Sequence, residues 1–189
     1  VDADPKDAEA GVKLASALRA IGRYPEAYDA AQAVLVTQPG NVEALLETAR
    51  AAIAGAEGFY AIEPARKAMQ ASPKDWRAAS LLAVGLDQAK RPAEAMEAHR
   101  KAMQMAPQNP LVLSNAALFY AAQGDRAQAE TLLRKAVTLP GATVQVRQNL
   151  ALVLGLQGKL AEAERIERQD LPPKMAEANL DYLKAAAAQ

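Results

Sequence analysis

The sequence predicts an all-α protein, an α-solenoid of about five helix–turn–helix blocks followed by a C-terminal capping helix. Three observations predict it. Of the 189 residues, 51% are hydrophobic but only 4% are aromatic, and alanine carries much of the apolar total. Small apolar side chains suit closely packed helices, whereas a β-sandwich draws on β-branched and aromatic residues. Prolines at Pro5, Pro39, Pro73 and Pro107 stand 34 residues apart, and Pro140 arrives one residue early. With blocks started at Ala8, Val42, Trp76, Pro110 and Val144, the eighth position is always alanine (Ala15, Ala49, Ala83, Ala117, Ala151). The twentieth is alanine as well (Ala27, Ala61, Ala95, Ala129, Ala163). A methyl group at the crossing point on each of two antiparallel helices lets their backbones approach closely.

Residues 1–7, VDADPKD, read as the end of an upstream block or a linker, because Pro5 sits on the proline beat. The chain starts with Val rather than Met, so a removed segment is expected ahead of it. The first block, 8–41, carries Leu14 and Leu18 four residues apart on one helical face, as Leu82 and Leu86 and Leu150 and Leu154 do in later blocks. These leucines are expected in the core. Gly22, Gly124 and Gly158 share one block position, suited to a left-handed helix end. The second block, 42–75, is irregular. It lacks the usual turn, and Pro64 is expected in the first turn of a displaced second helix or at a kink. The third and fourth blocks, 76–109 and 110–143, are regular. In the fifth, 144–173, Glu167 and Asp170 fall in columns that should pack the second helix, so less repeat-like material is expected beyond it. Pro172 and Pro173 stop that helix. Over 174–189, Ala176, Leu180, Leu183 and Ala187 form one apolar stripe, while Glu177, Asp181 and Lys184 supply a polar outer face. That pattern is a cap covering the last block.

The 34-residue beat resembles the tetratricopeptide repeat, and ALFYAAQGDRAQAETLLRKAVTLP is the best copy, with Tyr120, Gly124, Ala129 and Leu133 in the expected columns. The resemblance spans about residues 8–175 and implies a right-handed superhelix whose concave face is lined by the first helix of each block. Positions two, five, six and nine of each block are then the groove contributors. In the first three blocks the groove candidates are Lys13, Arg50, Arg77, Ser80 and Val84, with charges of both signs around them, Glu9, Glu43 and Glu47 included. In the last two they are Ser114, Asn115, Leu118, Gln145, Gln148, Asn149 and Leu152, a texture of amide, hydroxyl and leucine. Such a surface fits an extended or amphipathic protein segment, the amides meeting its backbone and the leucines an apolar side chain. The chaperone-type carboxylate clamp is absent from its first window, which reads Val12, Ser16, Glu47, Arg77 and Leu81.

Catalysis finds little support. Basic and acidic residues both total 22, so no basic surface is available to exchange for nucleic-acid counterions. No apolar run approaches transmembrane length. With no cysteine and one histidine, a zinc site would need carboxylate or water ligands, and no metal or cofactor is expected. His99 falls in a core column of the third block and is read as packing rather than as base or ligand. No phosphate-binding glycine loop or Ser/His/Asp constellation occurs. Trp76, Phe119, Tyr24, Tyr28, Phe59, Tyr60 and Tyr182 are read as packing residues, with a Tyr or Trp at a block edge the alternative as a partner anchor.

The stretch VRQNLALVLGLQGKLAEAERIERQDLPPKMAEANLDYLK resembles the C-terminal end of the TadD family, tetratricopeptide lipoproteins of the tight-adherence (Flp) pilus assembly machinery. Its run NLALVLGLQGKLAEAE, then DLPP, then ANLDYLK carry the likeness. The resemblance implies a pilotin-like accessory factor on the periplasmic face of the bacterial outer membrane, whose partner is a protein or peptide segment of the pilus secretin. It implies membrane attachment only through a lipid anchor, on a cysteine upstream of Val1. The alternative is a general repeat scaffold in another assembly, cytoplasmic or periplasmic.

Overall fold

The computed structural model describes residues 5–187, with side chains over 7–185; residues 1–4 and 188–189, which belong to the expected upstream tail and to the end of the expected cap, lie outside the described residues. Among the described residues there are eleven α-helices and no strand: α1 Pro5–Ala20, α2 Tyr24–Thr37, α3 Val42–Ala54, α4 Gly58–Ala71, α5 Trp76–Gln88, α6 Pro92–Met105, α7 Pro110–Ala122, α8 Arg126–Val137, α9 Val144–Leu156, α10 Leu160–Asp170 and α11 Pro173–Ala187. Four first helices start on the block starts Val42, Trp76, Pro110 and Val144. α1 begins earlier than Ala8, with Pro5 as its first residue, a place where a missing N–H removes no helix bond.

The starts and stops follow from side chains at fixed block positions. Asn41 caps α3 by accepting from the Ala44 N–H (3.1 Å), Asp75 caps α5 through the Arg77 N–H (2.9 Å), and Asn109 caps α7 through the Leu111 N–H (3.0 Å). Each such cap contributes about 1 kcal/mol. Between the two helices of every block the chain closes the same hydrogen-bonded end, in which a residue past the turn reaches back to the last turn of the first helix. The N–H groups of Arg23, Glu57, Arg91, Asp125 and Lys159 donate to the carbonyls of Leu18, Ala52, Leu86, Tyr120 and Leu154. This closure needs a left-handed residue. Gly22, Gly124 and Gly158 supply it as expected, and in the two blocks without glycine Ala56 (φ 60°) and Lys90 (φ 59°) adopt it instead.

The described chain forms two compact units, residues 1–105 and 106–189. In the first, α3 contacts α1 and α5 in one row, α2 and α4 each pack between consecutive first helices, and α6 packs on α5. In the second, α7 and α9 do the same, and α11 contacts α9 and α10 as a further first helix would. All ten column alanines are at most 1% exposed, so both columns are crossing points. α4 and α5 cross closely through glycine. A Cβ on Gly58 would lie 2.7 Å from the Gly85 carbonyl oxygen and collide with the Gln88 Cβ.

Three expectations are corrected. Pro64 does not lie in the first turn of a displaced helix; α4 begins at Gly58 and carries it in mid-helix, its ring buried, which is the position the kink alternative requires. Leu14 is 54% exposed rather than in the core, because no helix among the described residues covers the α1 face that α2 covers on α3 and α4 on α5. Phe59, Tyr60 and Tyr182, read as packing residues, lie outside the core and are 68%, 55% and 67% exposed. Phe59 and Tyr60 occupy block columns that elsewhere hold Pro25 and Glu26, Ala93 and Glu94, or Ala127 and Gln128, which are surface columns. Phe119 is buried as expected, and His99 is 2% exposed in α6.

Candidate functional site

The groove residues of the first unit are already engaged with one another. Lys13 pairs with Glu9 one turn away on exposed α1. Glu47, only 4% exposed, accepts from Arg19 of α1 (3.0 Å) and from Arg50. A carboxylate that deeply placed is tolerated because two guanidiniums face it. Arg77 bridges Asp75 (2.7 Å) and Glu43 of the preceding block (2.7 Å). The Arg77 guanidinium holds the Asp75 carboxyl below the usual range, and the Asp75 and Glu43 carboxylates push the arginine further up. Ser80 is buried and Val84 half-buried. Charge of both signs is therefore present on this face, as read from the sequence, and two of its pairs, Arg19–Glu47 and Arg77–Glu43, join successive first helices.

The second unit presents a cleft. Gln145, Gln148, Asn149 and Leu152 of α9 line an open cavity of about 230 Å³ together with Glu167 of α10 and Asn179, Tyr182 and Leu183 of α11. Its floor is a chain of amides: Gln145 Nε2 donates to Asn149 Oδ1 (3.1 Å), and Asn149 Nδ2 donates to Ser114 Oγ of α7 (2.9 Å). Ser114 is thereby a buried joint rather than a contact surface, while Leu118 and Asn115 are half-buried on α7. The cleft's end wall is the junction of three helices. Glu167, 3% exposed, accepts from Asn179 Nδ2 (3.0 Å) and, with the amide turned to satisfy both groups, from Gln148 (2.8 Å). Arg147 Nε donates to Asp170 Oδ2 (2.7 Å) and holds that carboxyl below its ordinary range. Glu167 and Asp170, read from the sequence as a sign of the array's end, are the groups that fasten the last helices together. Leu183 seats on Gly155, whose missing Cβ leaves its place.

The sequence pattern points to four lining residues on α9 and misses Asn179 and Tyr182, because a groove built only from first helices of blocks leaves α11 out. The signal was present in ANLDYLK, where Leu180 and Leu183 are buried at 4% and 2% and the intervening Tyr182 must face away from them. Chemically the cleft offers one exposed aromatic ring, a half-buried leucine, and amide groups that both donate and accept. That is the equipment for holding a peptide backbone and one apolar side chain. Among the described residues no cluster of His, Cys, Asp or Glu could hold a metal ion, and no helix is long and apolar enough to cross a membrane.

Two tetratricopeptide-repeat family models match, over residues 86–138 and 143–171. Comparison with curated proteins finds no match. Among solved structures, a thermophilic tetratricopeptide-repeat protein of Thermus thermophilus is similar at 21% identity and a TM-score of 0.82, over 93% of this chain and 98% of that one. PilF of Pseudomonas aeruginosa is similar at 20% identity and a TM-score of 0.69, over 97% and 88%. MamA of Desulfovibrio magneticus is similar at 14% identity and a TM-score of 0.62, over the full length of both chains. Residues 86–138 and 143–171 are thus tetratricopeptide repeats, and the chain has the all-helical fold of tetratricopeptide-repeat proteins.

Proposed function

We propose that this chain is a non-catalytic protein-interaction scaffold that assists assembly of the tight-adherence pilus secretin at the periplasmic face of the outer membrane. The observation that carries the reading is the α9–α11 cleft. The motif resembling the TadD family is also what builds it: Asp170 of DLPP anchors on Arg147, Asn179 of ANLDYLK on Glu167, and Tyr182 stands exposed at the edge. Amides and a tyrosine around a leucine suit an extended protein segment, with main-chain hydrogen bonds supplying grip and the ring supplying the anchor. A lipid anchor ahead of Val1 would place the scaffold at the membrane.

The test is an array of overlapping peptides spanning the cognate secretin, probed with the wild-type chain and with a Leu152→Ala, Tyr182→Ala variant. Binding of a contiguous secretin segment, weakened about tenfold or more in the variant, is the expected result. No secretin peptide bound, with proteins of another assembly captured through the same cleft, would leave the scaffold and remove the pilus role.

A further inference from the structure

The irregular second block creates a second surface, built wholly from the first unit. Four of the chain's eight aromatic residues gather there. Tyr28 of α2 meets Tyr60 of α4 edge to face with ring centres 6.4 Å apart, Phe59 meets Tyr60 at 5.7 Å, and Tyr24 lies one turn before Tyr28. Tyr28 forms a ridge between two cavities. On one side a cavity of about 390 Å³ is walled by Phe59, Tyr60, Leu35, Ile62 and Pro64. On the other, one of about 310 Å³ is walled by Tyr24, Tyr28, Ala52, Gly55, Asp29 and Glu57.

Charge decides what fits. The cations at the rim of the larger cavity are only partly compensated: Arg66 and Arg91 share the single carboxylate of Glu94 (3.4 and 2.6 Å), which leaves one positive charge there, and Lys67 pairs with Glu63 (3.7 Å), so this cavity suits an apolar rather than a cationic side chain. Asp29 and Glu57, beside the smaller cavity, are exposed and have no basic partner among the described residues; the Glu57 side chain does not even cap α4. Two tyrosine rings and two free carboxylates attract a cation, and a planar guanidinium stacks on such rings better than an ammonium does.

We infer that this aromatic ridge docks an extended protein segment bearing an arginine, whose guanidinium enters between Tyr24, Tyr28, Asp29 and Glu57 while a neighbouring apolar side chain fills the groove along Phe59 and Tyr60. Mutations here leave the α9–α11 cleft untouched, so this surface and the proposed secretin site fail or succeed separately.

The experiment titrates the isotope-labelled chain with acetyl-Leu-Pro-Arg-amide and, in parallel, acetyl-Leu-Pro-Glu-amide, following backbone amide resonances. The arginine peptide is expected to shift the amides of Gly55, Glu57 and Phe59 and to bind about tenfold or more weakly to an Asp29→Asn, Glu57→Gln variant. Both substitutions are at exposed sites and preserve shape, so the variant's spectrum should otherwise match the wild type; Phe59→Ala, also exposed, gives a second loss of affinity. An equal response to the glutamate peptide, full affinity in the double variant, or no shift at these amides with millimolar arginine peptide would overturn the inference.

Discussion

Burial holds the His99 imidazole in its neutral form, lowering its pKa to about 4 from the ordinary 6.5. Between those two values the unfolded chain takes up a proton that the folded chain refuses. Stability therefore falls as pH drops from about 6.5 to 4, by roughly 3 kcal/mol at most. The depressed carboxyls of Asp75, Glu130 and Asp170 act in a lower window: their contribution is present above the ordinary carboxylate range and is lost as pH falls through their folded values. Urea midpoints measured against pH should separate the two. His99→Leu is expected to flatten the curve between pH 6.5 and 4 while leaving the steeper loss at lower pH, and an unchanged curve would show that burial does not govern this histidine. Gly58 makes a second residue-scale prediction. Its missing side chain lets α4 lie against Gly85 and Gln88, so Gly58→Ala should destabilise the chain by about 1–3 kcal/mol in the same denaturation measurement.

Each block's two helices meet through a left-handed residue, and only three of the five are glycine. Ala56 and Lys90 carry a Cβ in that conformation at a cost of about 1 kcal/mol. Both are exposed, so Ala56→Gly and Lys90→Gly should each stabilise by up to that amount, seen as a raised urea midpoint with an unchanged slope. No gain in either would mean that the closing hydrogen bonds tolerate the side chain without strain. At this scale the sequence is most readable. Period, proline beat and alanine columns locate the helices because every block repeats the same crossing, and Ala15 or Ala129 can be nothing larger. What escapes is the second block, where Pro64 suggests a shifted helix yet α4 runs through it: loss of one backbone bond in mid-helix is outweighed by burial of Ala61, Ala65 and Ala68 on the same face. The exposure of Phe59 and Tyr60 escapes as well, since composition says that aromatics are buried while only column position says that these two are not.

For the whole molecule, the repeat is legible and the site only in part. Columns that name groove residues treat all blocks alike, but partners of opposite charge differ from block to block. Lys13, Arg50 and Arg77 are paired with Glu9, Glu47, Glu43 and Asp75, whereas Gln145 and Leu152 remain open beside Tyr182. The amide floor also redistributes roles. Asn149 joins α7 to α9 through Ser114, so Asn149→Ala should lower stability by about 1 kcal/mol as well as weaken binding, while Tyr182→Ala should weaken binding alone. Placing a photo-crosslinking phenylalanine analogue at Tyr182, in cells that assemble the pilus, reads the cleft's occupant directly. A crosslink to the secretin, lost when the secretin segment identified on the peptide array is deleted, is the predicted result. Crosslinks from exposed Phe59 but none from Tyr182, with the secretin assembled normally, would contradict a partner-binding cleft between α9 and α11.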